Sequence, residues 1–317
     1  MSEPTTVMNT PGQSCVSGSS RTATIALGLI VCLFFVSTTV FAILAFAPTD
    51  PNANIPRLGI HATAKPEAEF PKLLHLMYIP YEASTQKLKP DENDFDHSYL
   101  DFWRQKLNGT EWQVKMWTLS ALERVIPVEV WKFIWQQSVR PIQIVDFCRV
   151  WLVYHYGGVS LQYGTKIQDL DVAIPRKAET RLFMFRHVGP MYAYMHSRPQ
   201  ERKVWTTELA NQLFSGYPHA KFYQQALMFN LVNLGHMPVR TNRDVLFNGG
   251  PGVFSHVFYN SPDQDWELVP KPPGLQFKHM GSWRSEKCSF DKTPWKGPSR
   301  MTSEMALRLI SLKPLKA

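Results

Sequence analysis

The stretch that most restricts the fold is RPIQIVDFCRVWLVYHYGGVSLQY, from Arg140 to Tyr163. Pro141 suits the first turn of a helix, where its missing N–H costs nothing. Ile142, Val145, Leu152 and Tyr156 then repeat near the helical period. Gly157 stands where a helix of this length is stopped by a left-handed cap, and VSLQY alternates as a strand leaving that cap. A helix, a double-glycine turn and a strand therefore follow one another without a break.

The flanking sequence continues the pattern. In FPKLLHLMYIP the apolar run from Leu73 to Ile79 is short and bounded by prolines, as a buried strand is. SYLDFWRQKL, from Ser98 to Leu107, has helical spacing, EWQVKMW alternates like a second strand, and ALERVIPVEVWKFIWQQ is helical material broken at Pro127. Strand, helix, strand, helix predicts an α/β layered domain. Further on, a strand-and-loop stretch becomes a helix from about His219 to Leu234, and NGGPGVFSHVFYN puts a glycine-rich turn before a short helix. A last short helix is expected around SEMALRLISL, and there is no internal repeat.

Ahead of the domain, TATIALGLIVCLFFVSTTVFAILAFAP carries no charge from Thr22 to Pro48. At ~1.5 Å rise per residue such a segment crosses a ~30 Å hydrocarbon layer. The sequence thus divides into a polar tail (1–22), a transmembrane signal-anchor (23–47), a stem or linker (48–68), a folded domain (69–285) and a C-terminal extension (286–317). Arg21 before the span and Arg57 and Lys65 after it leave orientation undecided by charge. The sequon Asn108-Gly109-Thr110 is a glycosylation acceptor compatible with a lumenal domain.

The formal charge of +8 balances 34 Lys and Arg against 26 Asp and Glu, and the basic residues are scattered in no run longer than two, without the stripe a nucleic-acid surface needs. Membrane headgroups or anionic donors suit such a surface equally well. Cys15, Cys32, Cys148 and Cys288 form no CxxC or Cys/His cluster, so neither a zinc site nor a disulfide framework is indicated.

Asp146 and Arg149, spaced i and i+3, taken alone describe a surface ion pair contributing a few tenths of a kcal/mol. Combined with Leu152, Tyr156, Gly157, Gly158 and Leu161, they spell D-x-x-R followed by L-x-x-x-Y-G-G-x-x-L. This pattern resembles the Asp-x-Asp sugar-transferase region of family 32 glycosyltransferases, the group of fungal mannosyltransferases and glycolipid alpha-1,4-galactosyltransferases. FPKLLHLMY, with His75, is similar to that family's opening strand, and WQVKMW to an element ending here in Met116-Trp117. NQLFSGYPHAKF, GGPGVFSHVF with Gly250-Pro251, and HMGSWR with His279, Ser282 and Trp283 resemble later elements in the same order.

The resemblance implies a Rossmann-like GT-A fold and a retaining hexosyltransferase using GDP-mannose or UDP-galactose with a glycan or glycolipid acceptor. It implies a Golgi membrane protein, single-pass type II, with a lumenal C-terminal domain. Asp146, Arg149, Gly157, Gly158, His75 and Gln162 become candidate donor-binding residues. Gly250, Pro251, His279, Ser282 and Trp283 fall on the acceptor or closing-loop side.

One element departs from the family pattern. The two metal-site aspartates should fall at Gln162 and Gly164, which supply a neutral amide and no side chain. A manganese or magnesium ion across the leaving diphosphate needs carboxylate oxygens. Asp169-Leu170-Asp171 is an Asp-x-Asp placed late, readable as a shifted metal site or as ordinary turn residues. Lys166 is an alternative cation for the phosphates, readable equally as a solvated charge. An active enzyme and a pseudo-glycosyltransferase that binds sugar or assists an active paralogue both remain open.

Overall fold

The computed structural model describes residues 60–61, 68–79, 97–193, 203–236, 239, 244–245, 248–260, 265–277 and 301–315. All lie within the compact unit Ile55–Ala317. The expected membrane span 23–47 and the closing-loop candidates His279, Ser282 and Trp283 lie outside the described residues. Among the described residues no helix is long and apolar enough to cross a membrane.

The strands are β1 (Ile60–His61), β2 (Leu73–Met77), β3 (Gln113–Trp117), β4 (Gly158–Gln162), β5 (Thr165–Lys166), β6 (Thr180–Ala193), β7 (Lys203–Gly216), β8 (Trp266–Val269) and β9 (Gln276–Phe277). The helices are α1 (Ser98–Lys106), α2 (Leu119–Val125), α3 (Val128–Gln137), α4 (Pro141–Tyr156), α5 (Lys221–His236), α6 (Pro251–Asn260) and α7 (Ser303–Ile310). Seven strands form one mixed sheet in the order β1-β8-β6-β7-β4-β2-β3, and β5 pairs with β9 separately. Within it β3, β2 and β4 run parallel, β7 is antiparallel to β4, and β6 to β7.

Alternation along β2 sends Leu74 and Leu76 to one face and Met77 to the other. The first face packs with Trp103 of α1 and with Val159, Leu161 and Leu213. The second carries α2 to α7 through residues such as Phe147, Trp151, Leu227 and Phe254. Fully burying a side chain of this size stabilises the fold by about 1.5–3 kcal/mol, so both faces are firmly held. The β2-to-β3 connection runs through α1 on one face, and the β3-to-β4 connection through α2, α3 and α4 on the other. Connections therefore diverge at the carboxyl end of β2, the place where open α/β sheets receive ligands.

The stretch 286–317 is not peripheral where it is described. α7 buries Ala306 and Ile310 in the α-side core, and the Leu315 N–H donates to the Val125 carbonyl at 2.9 Å. The cap Thr302 starts this helix by accepting from the Met305 N–H at 3.2 Å.

Candidate functional site

α4 is fixed at both ends. Gln143 Oε1 accepts from the Val139 and Arg140 N–H groups, each at 2.9 Å, which satisfies donors that the helix start leaves free. The helix stops at Gly157 (φ 68°) and Gly158 (φ 91°), a region L side chains avoid. A Cβ on Gly157 would lie 2.7 Å from Pro218, and one on Gly158 only 2.5 Å from the Leu73 carbonyl oxygen. The double glycine thus turns the chain and lets β4 lie directly against β2.

That turn aims the D-x-x-R pair inward, so the exposed pair expected from spacing alone is corrected to a buried one. Asp146 is 8% exposed and Arg149 3%, because α4 is packed on nearly all sides. Their closest approach is 4.0 Å from Arg149 Nη1 to Asp146 Oδ1, long for an ion pair. Arg149 Nε donates to Ser160 Oγ on β4 at 3.1 Å, and its guanidinium lies 5.1 Å from the Phe214 ring centre on β7. Asn211 Nδ2 donates to Asp146 Oδ1 at 3.2 Å. Gly250, just before α6, leaves the remaining room: a Cβ there would sit 2.9 Å from Asp146 Oδ2 and 3.0 Å from Asn211 Nδ2.

Burial pushes the Asp146 carboxyl up to about 7, against the opposing pull of Arg149 and Asn211. Burial likewise lowers Arg149 to about 10, which leaves it charged at neutral pH. Arg149 Nη2 is buried without a hydrogen-bond partner among the described residues. The cluster thus holds a carboxyl poised to exchange a proton near neutrality and a guanidinium N–H with unused donor capacity. β4 pairs with β7 up to Leu161 opposite Leu213, so Asn211 and Asp146 gather at the carboxyl end of β4, beside Gln162.

His75, a donor-binding candidate from the resemblance, is engaged within the fold. It is 2% exposed, with Nε2 2.8 Å from the Gly157 carbonyl and Nδ1 accepting from Trp117 Nε1 at 3.1 Å. The tryptophan can only donate, so the histidine carries its proton on Nε2 and is neutral. Burial lowers it to about 4. With both ring nitrogens engaged, His75 ties the helix-to-strand turn to β2 and β3.

Asp169 and Asp171 lie on the other face of the sheet from Asp146. Asp171 accepts from Trp112 Nε1 at 2.9 Å, Asp169 accepts from the Asp171 N–H at 2.9 Å, and Leu170 between them is buried with α1. They line a cavity of about 410 Å³ together with Lys72, Lys106, Glu111 and Trp112, beside the residues that precede β2 and β3. Lys166 on β5 points into α1, its Nζ 4.4 Å from the Phe102 ring centre and 5.2 Å from that of Tyr99. Both carboxylates and this lysine therefore lie on the α1 side of the sheet, away from Asp146. Among the described residues no three His, Cys, Asp or Glu side chains converge as metal ligands. The donor set at Gln162 and Gly164 does not fit a hard divalent cation, which takes carboxylate oxygens.

Asn108 is exposed at the end of α1, open to modification. Two residues in the cluster, Ser160 and Asn211, were not singled out from sequence. Asn211 opens the NQLFSGYPHAKF element, and its order in the chain was the available signal. Ser160 carried none, since a serine inside an alternating strand is unremarkable.

No family model matches this chain, and no curated protein matches it. Among solved structures it is similar to the PaToxG glycosyltransferase, at a TM-score of 0.36 and 12% identity over 60% of this chain and 69% of that one.

Proposed function

We propose that this protein is a glycosyltransferase that moves a hexose, mannose or galactose, from a nucleotide sugar to a glycan or glycolipid acceptor. The observation that carries this reading is the buried cluster of Asp146, Arg149 and Asn211 at the carboxyl end of β4, where the sheet's connections diverge. A hexose offers many hydroxyls, each both donor and acceptor. Asp146 near its neutral point accepts from or donates to them, and the unused Arg149 N–H donates to them. Gln162 and the Gly250 turn border the same edge, the first as an amide ligand and the second as backbone that a substrate can approach closely. The uncharged segment 23–47 and the sequon at Asn108 support a Golgi membrane protein, single-pass type II, with this domain in the lumen.

The absence of carboxylates at Gln162 and Gly164 supports a second reading, a pseudo-glycosyltransferase that keeps sugar-nucleotide binding and serves as an accessory subunit to an active paralogue. Full-length chain in detergent, given GDP-mannose and UDP-galactose with glycan and glycolipid acceptors, separates the two. Release of nucleoside diphosphate that falls at least tenfold in Asn211→Ala supports the transferase. Donor binding without release supports the accessory subunit, and neither binding nor release overturns both.

A further inference from the structure

At the opposite end of α4 from Asp146, about 14 Å away at ~1.5 Å per residue, lies a second polar feature that sugar transfer does not use. His155, in the last turn of α4, packs at a tilt against Trp151, with ring centres 4.2 Å apart and planes at 45°. Its Nε2 is buried with no hydrogen-bond partner among the described residues. A buried polar atom left unsatisfied is destabilising and calls for an explanation.

Beside it lies His219, whose ring centre is 5.8 Å from that of His155 at an interplanar angle of 88°. His219 is exposed, and it is the one non-glycine residue with positive φ (62°) among the described residues. Its N–H donates to the Tyr154 carbonyl at 2.6 Å, so the turn between β7 and α5 is fastened to the end of α4 in this strained form. The backbone holds one imidazole beside another at a conformational cost, so two imidazoles from separate elements lie close together.

We propose that His155 and His219 form a two-histidine site for a borderline divalent transition ion such as zinc or nickel, with water completing the coordination. Imidazole nitrogen is a preferred ligand of these ions. With metal–nitrogen bonds of about 2.1 Å, two imidazoles on one ion have ring centres roughly 5–6 Å apart, which brackets the observed separation. The ion would satisfy the orphaned His155 nitrogen, and the carbonyl end of α4 adds a favourable field for a cation. Exposure of His219 gives the entry path. The site joins α4 to the start of α5, away from Gln162, so it stabilises this corner whether or not the protein transfers sugar.

The test is equilibrium dialysis of zinc and of nickel against full-length protein in detergent, prepared without a polyhistidine tag. His155→Phe keeps an aromatic ring on Trp151, and His219→Asn keeps a residue that accepts positive φ. One ion per chain, bound at least tenfold more weakly in each variant and raising the melting temperature of the unsubstituted protein only, is the expected result. No ion retained at submillimolar concentration, or affinity unchanged in both variants, would overturn the site. Sugar-donor binding is scored separately and leaves this outcome unaffected.

Discussion

On the α4 face of the sheet Asp146 is mostly buried between Gly250 and Arg149, whereas on the α1 face Asp169 and Asp171 stand exposed on a turn. Read as letters, the second pair looks more like a sugar-nucleotide site. Read as chemistry, the first differs more from a carboxylate in water, since burial brings its titration to neutral pH. What separates them is the layer each sits in, not their spacing. The sheet stands between them, and each is already engaged with its own neighbours.

Removing one carboxylate from each face is the sharpest way to break this comparison. Asp146→Ala leaves Arg149 buried and charged, and should lower the unfolding free energy by about 3–5 kcal/mol in urea denaturation. If Asp171→Ala costs as much, the contrast fails. Next in size is Arg149→Met. Here the stranded Asp146 escapes by taking up a proton, so the loss should be smaller, about 1–3 kcal/mol, and should grow when denaturation is repeated above pH 8.

The pH dependence follows with opposite signs on named groups. Asp146, raised from 3.8 to about 7, holds its proton more tightly folded than unfolded. Its contribution is therefore greatest below pH 4 and decays as pH rises through 7. His75, lowered from 6.5 to about 4, imposes a penalty that appears as pH falls below 6.5, and His155 acts in the same direction. Asp146→Asn removes the opposing member, so melting or denaturation profiles between pH 4.5 and 6.5 should rise more steeply than for the unsubstituted protein. The difference in slope is about 1.4 kcal/mol per pH unit for one proton. Identical slopes would show that Asp146 titrates in its ordinary range. Smallest of all, Asp169→Ala should change stability by about 0.5 kcal/mol or less, as exposed turn residues do, and should leave any nucleotide-sugar turnover within twofold.

Much of the fold was legible because local signals agreed with their burial. The Pro141 start, the helical period and the glycine stop gave α4 its observed limits, and GGPGVFSHVFYN gave the turn and α6. β6 and β8 were not legible. Their side chains serve a mixed sheet whose partners are far away in sequence, as in the part-buried ion pair of Arg181 with Glu267 at 3.2 Å. At the site, the helix residues Asp146 and Arg149 could be read, but their burial could not. That depends on Asn211 from β7 and Gly250 before α6, which only the folded chain brings near them.

The bond from His75 to the Gly157 carbonyl closes a separation of 82 residues. Chain between those points must shape β2, β3 and the four helices α1 to α4 before the imidazole finds either partner, and closing so long a loop is entropically expensive. The contact therefore belongs to the late side of the folding barrier. In stopped-flow kinetics His75→Asn should accelerate unfolding while leaving the refolding rate nearly unchanged, which makes this histidine a brake on opening and not a guide to assembly.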